Sequence, residues 1–176
     1  MVVAAAPVGV VWNARDTGKV RAGKAFGADG GVPVADLSTA VKGDDVWSLG
    51  PAPANVSDAP LTIETIQPGS MSPGLDYVDA KVFHRDDFPS GVPFAWDTGS
   101  GDSLNPELRP ASPLQGYTLQ AGQTMDSDVI FLHFRVATDQ RPLETNGVKI
   151  TYRQRAKSYE QTLEGSLKLV AAQAAR

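Results

Sequence analysis

The chain contains no cysteine, which excludes disulfides, thiolate catalysis and cysteine-ligated zinc together. That absence leaves the compartment open, because many secreted domains also lack cystine. Histidine is scarce: His84 and His133 are the two, so a metal site would have to be mainly carboxylate, of the kind that suits calcium or magnesium. Basic charge is not in excess either. Sixteen Lys and Arg stand against 20 Asp and Glu, a formal charge of −4, so there is no broad positive field to capture phosphate backbones and no nucleic-acid partner is expected. The charge-free stretch Met1 to Trp12 is too short to span a bilayer and lacks the basic n-region of a signal peptide.

What is present is the length and composition of one soluble domain with extensions: 176 residues, 41% hydrophobic and 20% charged. The opening stretch reads in two ways. It is the remnant of a longer targeting or anchoring segment behind an added Met, implying a membrane tether upstream, or it is a first strand around Val8 to Trp12. From Asn13 to Asp45 the chain is rich in Gly, Ala and charge with little periodicity, so residues 1–45 are expected to be an irregular N-terminal segment, loop with one or two short strands after Asn13 and a brief helical turn somewhere in Val32 to Val41.

Regular alternation begins near Val46. Val46 to Leu49 is a short strand. Leu61 to Ile66 alternates with Leu61 and Ile63 on one face, and a bend over Pro68 to Gly74 follows. Leu75 to His84 then sets Val78, Ala80 and Val82 against Asp79 and Lys81. Arg85 to Ser112 is so rich in Pro and Gly that it is not expected to hold a central strand, and it reads as a long ordered loop with Phe94 and Trp96 tucked over the core. Structure resumes at Tyr117 to Leu119. Asp128 to Val136 is the most apolar strand, with Ile130, Leu132, Phe134 and Val136 facing the centre of the core and Val129, Phe131, His133 and Arg135 facing away. Asn146-Gly147 reads as a turn, Val148 to Tyr152 as a strand, and Tyr159 to Leu163 as its hairpin partner, extended by Leu167 and Leu169. The domain is thus expected over 46–170, with 171–176 a frayed tail.

Two segments carry a resemblance. Asn55-Val56-Ser57-Asp58-Ala59-Pro60-Leu61-Thr62-Ile63, and Gly147-Val148-Lys149-Ile150-Thr151-Tyr152 followed by Tyr159-Glu160-Gln161-Thr162, resemble immunoglobulin-like domains of secreted or membrane-tethered bacterial proteins. The likeness covers roughly Val46 to Val170 and consists of turns and strands, not chemistry. It implies an antiparallel, immunoglobulin-like β-sandwich working outside the cytoplasm as a binding or spacer module, without the inter-sheet disulfide of antibody-type domains.

Against that non-enzymatic expectation stand the candidate sites. Phe94-Ala95-Trp96-Asp97-Thr98-Gly99-Ser100-Gly101 is similar to the active-site loop of aspartic proteases, in which two carboxylates share one proton. One copy would need a homodimer to supply the second Asp, which makes Asp97 the alternative catalytic residue; its plainer role is a turn cap. Asp44-Asp45, Asp86-Asp87, and Asp126 with Asp128 offer oxygen ligands but lack the spacing of a calcium loop. Arg153, Arg155 and Lys157 form a basic hairpin tip for an acidic partner or anionic lipid. Asn55-Val56-Ser57 meets the glycosylation rule, although a turn role suffices. Trp12, Trp47, Trp96, Tyr77 and Tyr117 would suit the aromatic platform of a carbohydrate-binding module, with core the better reading of Trp47 and Trp96. No cofactor is expected. The leading expectation is a cell-envelope module that binds another protein or itself, with Val8, Val10, Val11 and Trp12 as a strand donated to a neighbour's open edge.

Overall fold

The computed structural model describes residues 20–27, 34–99 and 111–170. Among them the chain is all-β. It has eleven strands, one three-residue 3₁₀ turn at Arg85–Asp87 and no α-helix, so no described helix is long and apolar enough to cross a membrane. In chain order the strands are β1 Arg21–Ala22, β2 Val34–Leu37, β3 Asp45–Leu49, β4 Leu61–Met71, β5 Leu75–His84, β6 Ala95–Asp97, β7 Ser112–Pro113, β8 Thr118–Leu119, β9 Asp128–Val136, β10 Leu143–Gln154 and β11 Lys157–Leu169.

They form two sheets. The first runs β1-β11-β10-β4-β8, with β2 also on β11; the second runs β6-β3-β9-β5-β7. All pairings are antiparallel except those of β1 and β2, which lie parallel to β11 one after the other along the same edge. β1 and β2 are the short strands expected between Asn13 and Asp45. The helical turn expected in Val32 to Val41 is instead the strand β2, because Val34–Leu37 finds an unpaired edge at Ser166–Leu169, and a ladder outweighs a weak local preference.

The sheets enclose one core. Leu61, Ile63 and Ile66 of β4, Val148, Ile150 and Tyr152 of β10, and Leu163, Leu167 and Leu169 of β11 meet Val46 of β3, Val82 of β5, and Ile130, Leu132, Phe134 and Val136 of β9. The inward faces of β9 and of Val148–Tyr152 are the ones their alternation predicts. Elsewhere register shifts overturn simple alternation, since one extra residue sends every later side chain to the other face. A shift beside Glu64 turns Ile66 inward. Another at Val78 leaves that residue 49% exposed and hands its expected place to Tyr77. Gly147, at φ +71°, is not a turn but lies inside a continuous β10, opposite a bulge in β11 between Leu163 and Ser166. Pro68 likewise does not end β4, which continues to Met71. Beyond Ile63 that strand is paired, among the described residues, with β10 alone, and an edge strand tolerates the missing N–H.

The β10–β11 hairpin closes on Arg155 and Ala156, both at positive φ (47° and 62°), as a two-residue turn with the twist of the flanking strands requires. The opposite side of the sandwich is closed by 112–119: β7 pairs with β5 in the second sheet, and β8 then pairs with β4 in the first. Tyr77 completes that closure by donating its hydroxyl to the Ile66 carbonyl across the sheets, at 2.5 Å.

Candidate functional site

The second sheet is buried on its outer face as well. Along that face Trp47, Phe83, Val129 and Phe131 form a separate apolar cluster with Trp96 of β6 and with Phe88, which the loop after β5 lays across the sheet. Trp47 and Trp96 are 1% and 3% exposed. They face one another across the β3–β6 ladder with ring planes 9° apart, while Phe88 tilts onto Phe131 at 5.7 Å and packs edge-on to Phe83 at 6.1 Å. The indole N–H groups of both tryptophans are buried without a hydrogen-bond partner among the described residues, and shape and ring contact hold this layer together. Trp47 and Trp96 are buried as expected, and they form no exposed sugar platform. Phe94 departs from its expected place over the core: it is 62% exposed, while its carbonyl accepts the Leu49 N–H.

The same face becomes polar toward its other end. His133, opposite Trp47 in the β3–β9 ladder, stacks on the indole at 4.1 Å with planes 4° apart. Its Nδ1 lies 3.3 Å from Asp79 Oδ1. Its Nε2 lies 3.2 Å from Asp45 Oδ1, within ion-pair range but without hydrogen-bond geometry. Arg135 holds Asp45 with two bonds of 2.8 and 2.7 Å, and Lys81 carries its ammonium 5.1 Å above the Trp47 ring and 3.9 Å from Asp79. Three strands thus converge on one imidazole.

Beside Asp79 and Lys81 opens a cleft of about 410 Å³, walled on one side by Asp79, Ala80 and Lys81 and on the other by 111–115. Its cause is local. Pairing of β7 with β5 stops at Lys81 opposite Pro113, because proline has no N–H for the ladder. Leu114 then dips into the core and a turn from its carbonyl to the Tyr117 N–H carries the chain to the other sheet. A wedge remains between β5 and the departing strand.

A second polar group lies at the end of β5. His84, largely exposed, places Nδ1 2.6 Å from Asp128 Oδ1, and Tyr117 donates to Asp128 Oδ2 at 2.6 Å. Burial first, then the hydrogen bond and charge of Asp128, push the Tyr117 phenol up to about 12. Burial, then the charge of Asp79, does the same for Tyr77.

The other candidates are placed as follows. Asp97 is 3% exposed, sits on β6 opposite Val46, and accepts a 2.5 Å bond from the Thr39 hydroxyl. Asn55 is fully buried. Its amide donates to the carbonyls of Ala59, Leu119 and Gln120, and its oxygen accepts from the Ser57 N–H and hydroxyl, so glycosylation of the folded chain is excluded and the triplet is a structural knot. The basic tip is partly neutralised, Arg153 by Glu64 and Arg155 by Asp58. Asp44 accepts the Val41 N–H. Asp86 and Asp87 lie in the 3₁₀ turn, and no group of three or more metal-binding side chains gathers among the described residues. Val8, Val10, Val11 and Trp12 lie outside the described residues, as does the 171–176 tail.

Sequence reasoning did not assemble Asp45, Asp79, Lys81 and His133, which come from three strands; the closely spaced Pro110, Pro113 and Gly116 were the available signal for a broken edge. No family model and no curated protein matches this chain. Among solved structures, the VesB protease of Vibrio cholerae is similar at a TM-score of 0.36 and 13% identity, over 78% of this chain and 30% of that one. This chain thus spans less than a third of that structure, and the likeness is too slight to bear on fold or activity.

Proposed function

We propose that the chain is an immunoglobulin-like module that works outside the cytoplasm by binding protein and not by catalysis. The strand order supports the fold. β3-β9-β5 against β11-β10-β4 has the succession B-E-D against G-F-C of that family, with the first strand moved onto β11. The observation that carries the functional reading is the position of Asp97. The sequence motif closest to a catalytic loop is built into the wall between β3 and the segment around Thr39, its carboxylate covered and hydrogen-bonded. A protease dyad needs two carboxylates converging on substrate. The extracytoplasmic setting rests on the resemblance of the Asn55–Ile63 and Gly147–Thr162 segments to secreted and tethered bacterial modules.

The test is direct. A mixture of proteome-derived peptides incubated with the chain between pH 4 and 7 and read by mass spectrometry is expected to show no cleavage that depends on Asp97. Cleavage abolished by Asp97→Asn would contradict the reading. Light scattering on the chain, with and without residues 1–12, separates a partner of another kind from a second copy of the same chain: an assembly that collapses on truncation identifies the partner as self.

A further inference from the structure

We infer that the corner of the first sheet around the β10–β11 turn is a membrane-contact surface, one that docks on a bilayer rich in anionic headgroups. The inference goes beyond the module reading and does not depend on it. Its first support is what the topology collects. Arg155 and Lys157 stand exposed at the turn. β11 begins there, and β1 runs parallel to it from Arg21 opposite Tyr159, so the chain enters the first sheet from the turn end. It brings Arg21 and Lys24, both exposed, to the same corner. The entering segment is held in place: the Gly23 N–H donates to the Glu160 carbonyl, the Ala25 N–H to the Tyr152 hydroxyl, and the Ala25 carbonyl accepts the Val56 N–H. Gly23 lies so close to the Tyr152 hydroxyl that a side chain there would collide with it. Four cations from opposite ends of the sequence thus share one corner of a protein whose overall charge is −4.

The second support is that these charges are available. Arg21, Lys24 and Lys157 enter no ion pair among the described residues. Arg155 meets Asp58 in a pair whose side chains are 67% and 81% exposed, which water screens and a stronger anion can replace. Arg153 differs, since Glu64 holds it through two of its nitrogens. Asp86, Asp87 and Asp126 belong to the turns of the second sheet, so the contact is the hairpin corner and not the whole end of the sandwich. Apolar side chains are interleaved with the cations. Val20, 49% exposed, precedes Arg21, and Val56, 63% exposed, lies against Gly27. Attachment to a membrane surface sums the apolar area buried at the headgroup boundary and the attraction to anionic lipid, and this corner offers both. The sequence favours lipid over an acidic protein as the occupant: the chain that leads to Val20 opens with a charge-free run, Met1 to Trp12, and then carries Arg15 and Lys19.

The experiment is flotation of the full chain with vesicles of phosphatidylcholine, either plain or containing about a third phosphatidylglycerol, in about 0.1 M salt. The expected result is binding to the anionic vesicles about tenfold tighter or more than to the plain ones. Arg155→Gln with Lys157→Gln should weaken binding to the anionic vesicles by about tenfold or more. Lys149→Gln with Lys168→Gln removes the same charge from the strands of the first sheet, away from the turn, and should leave binding unchanged. Equal binding to both kinds of vesicle, no flotation with either, or equal losses in the two double variants would overturn the inference. Binding of a capped hexaglutamate peptide at the turn without flotation would assign the corner to an acidic protein and overturn the lipid assignment. Each of these outcomes leaves the module reading intact, because that reading is tested by Asp97-dependent cleavage.

Discussion

The two sheets share a core but differ on their outer faces. The outer face of the first sheet is crossed by ion pairs between neighbouring strands, Lys149 with Glu160, Lys168 with Glu144 and Arg153 with Glu64, all partly in water. The outer face of the second carries stacked aromatic rings roofed by Phe88 and Val92, and then an imidazole between two carboxylates. One sheet is amphipathic in the usual antiparallel manner and the other is buried on both sides. Specificity is more readily built on the second of these faces. A solvated face of matched pairs contributes little energy and little shape, whereas a face with a rigid layer beneath it can hold a few charged groups in fixed positions.

Substitutions should break the comparison at its strong end first. Trp47→Ala removes a fully buried ring that touches Trp96, Phe83 and His133, and is expected to cost about 3–5 kcal/mol in urea unfolding, as much as a change in the shared core. Phe88→Ala, which lifts the roof, should cost about 3 kcal/mol; a loss below about 1 kcal/mol would mean that the outer layer is decoration.

Alkaline pH should act on the side of the sandwich between the sheets. With Tyr77 and Tyr117 both pushed up to about 12, the native chain keeps two protons that the unfolded chain releases near pH 10. The folded state binds more protons in that window, so stability is whole below pH 10 and falls as pH rises toward 12. Urea midpoints measured across that range should drop, and the paired change Tyr77→Phe with Tyr117→Phe should flatten the slope.

On the first sheet the effects should be smaller and of either sign. Ala156→Gly relieves a left-handed alanine in the β10–β11 turn and should stabilise by about 1 kcal/mol. Lys149→Ala and Lys168→Ala should each shift stability by less than about 0.5 kcal/mol. A larger loss at either lysine would show that the solvated face does more than its exposure implies.

How much of this was legible in the sequence varied by element. The bounds of β5 and β9 follow from their alternation, and so does the inward face of β9, because each runs long enough for the period of two to stand out. Alternation fails at Glu64 and Val78, each the extra residue of a bulge, and at Gly147, which faces a bulge in β11, and no local residue other than the glycine announces it. The outward residues Val129 and Phe131 look like half of an ordinary buried strand, and what covers them is Phe88, more than forty positions earlier. Asp97 illustrates the converse. Its motif is legible and its chemistry is not, since only the fold reveals the bond from Thr39 that covers it. The Asp45, Asp79 and His133 cluster is set by strand order alone, which short-range pattern does not encode.

The most direct test of the asymmetry between the sheets is native-state hydrogen exchange resolved amide by amide. If the second sheet is buried on both faces, Val129 to Phe134 of β9 should exchange only through global unfolding, with one common free energy, while Gln67 to Met71 at the outer edge of β4 open locally and exchange far faster. Comparable exchange in the two segments would contradict the account, because β9 would then be covered on one face only.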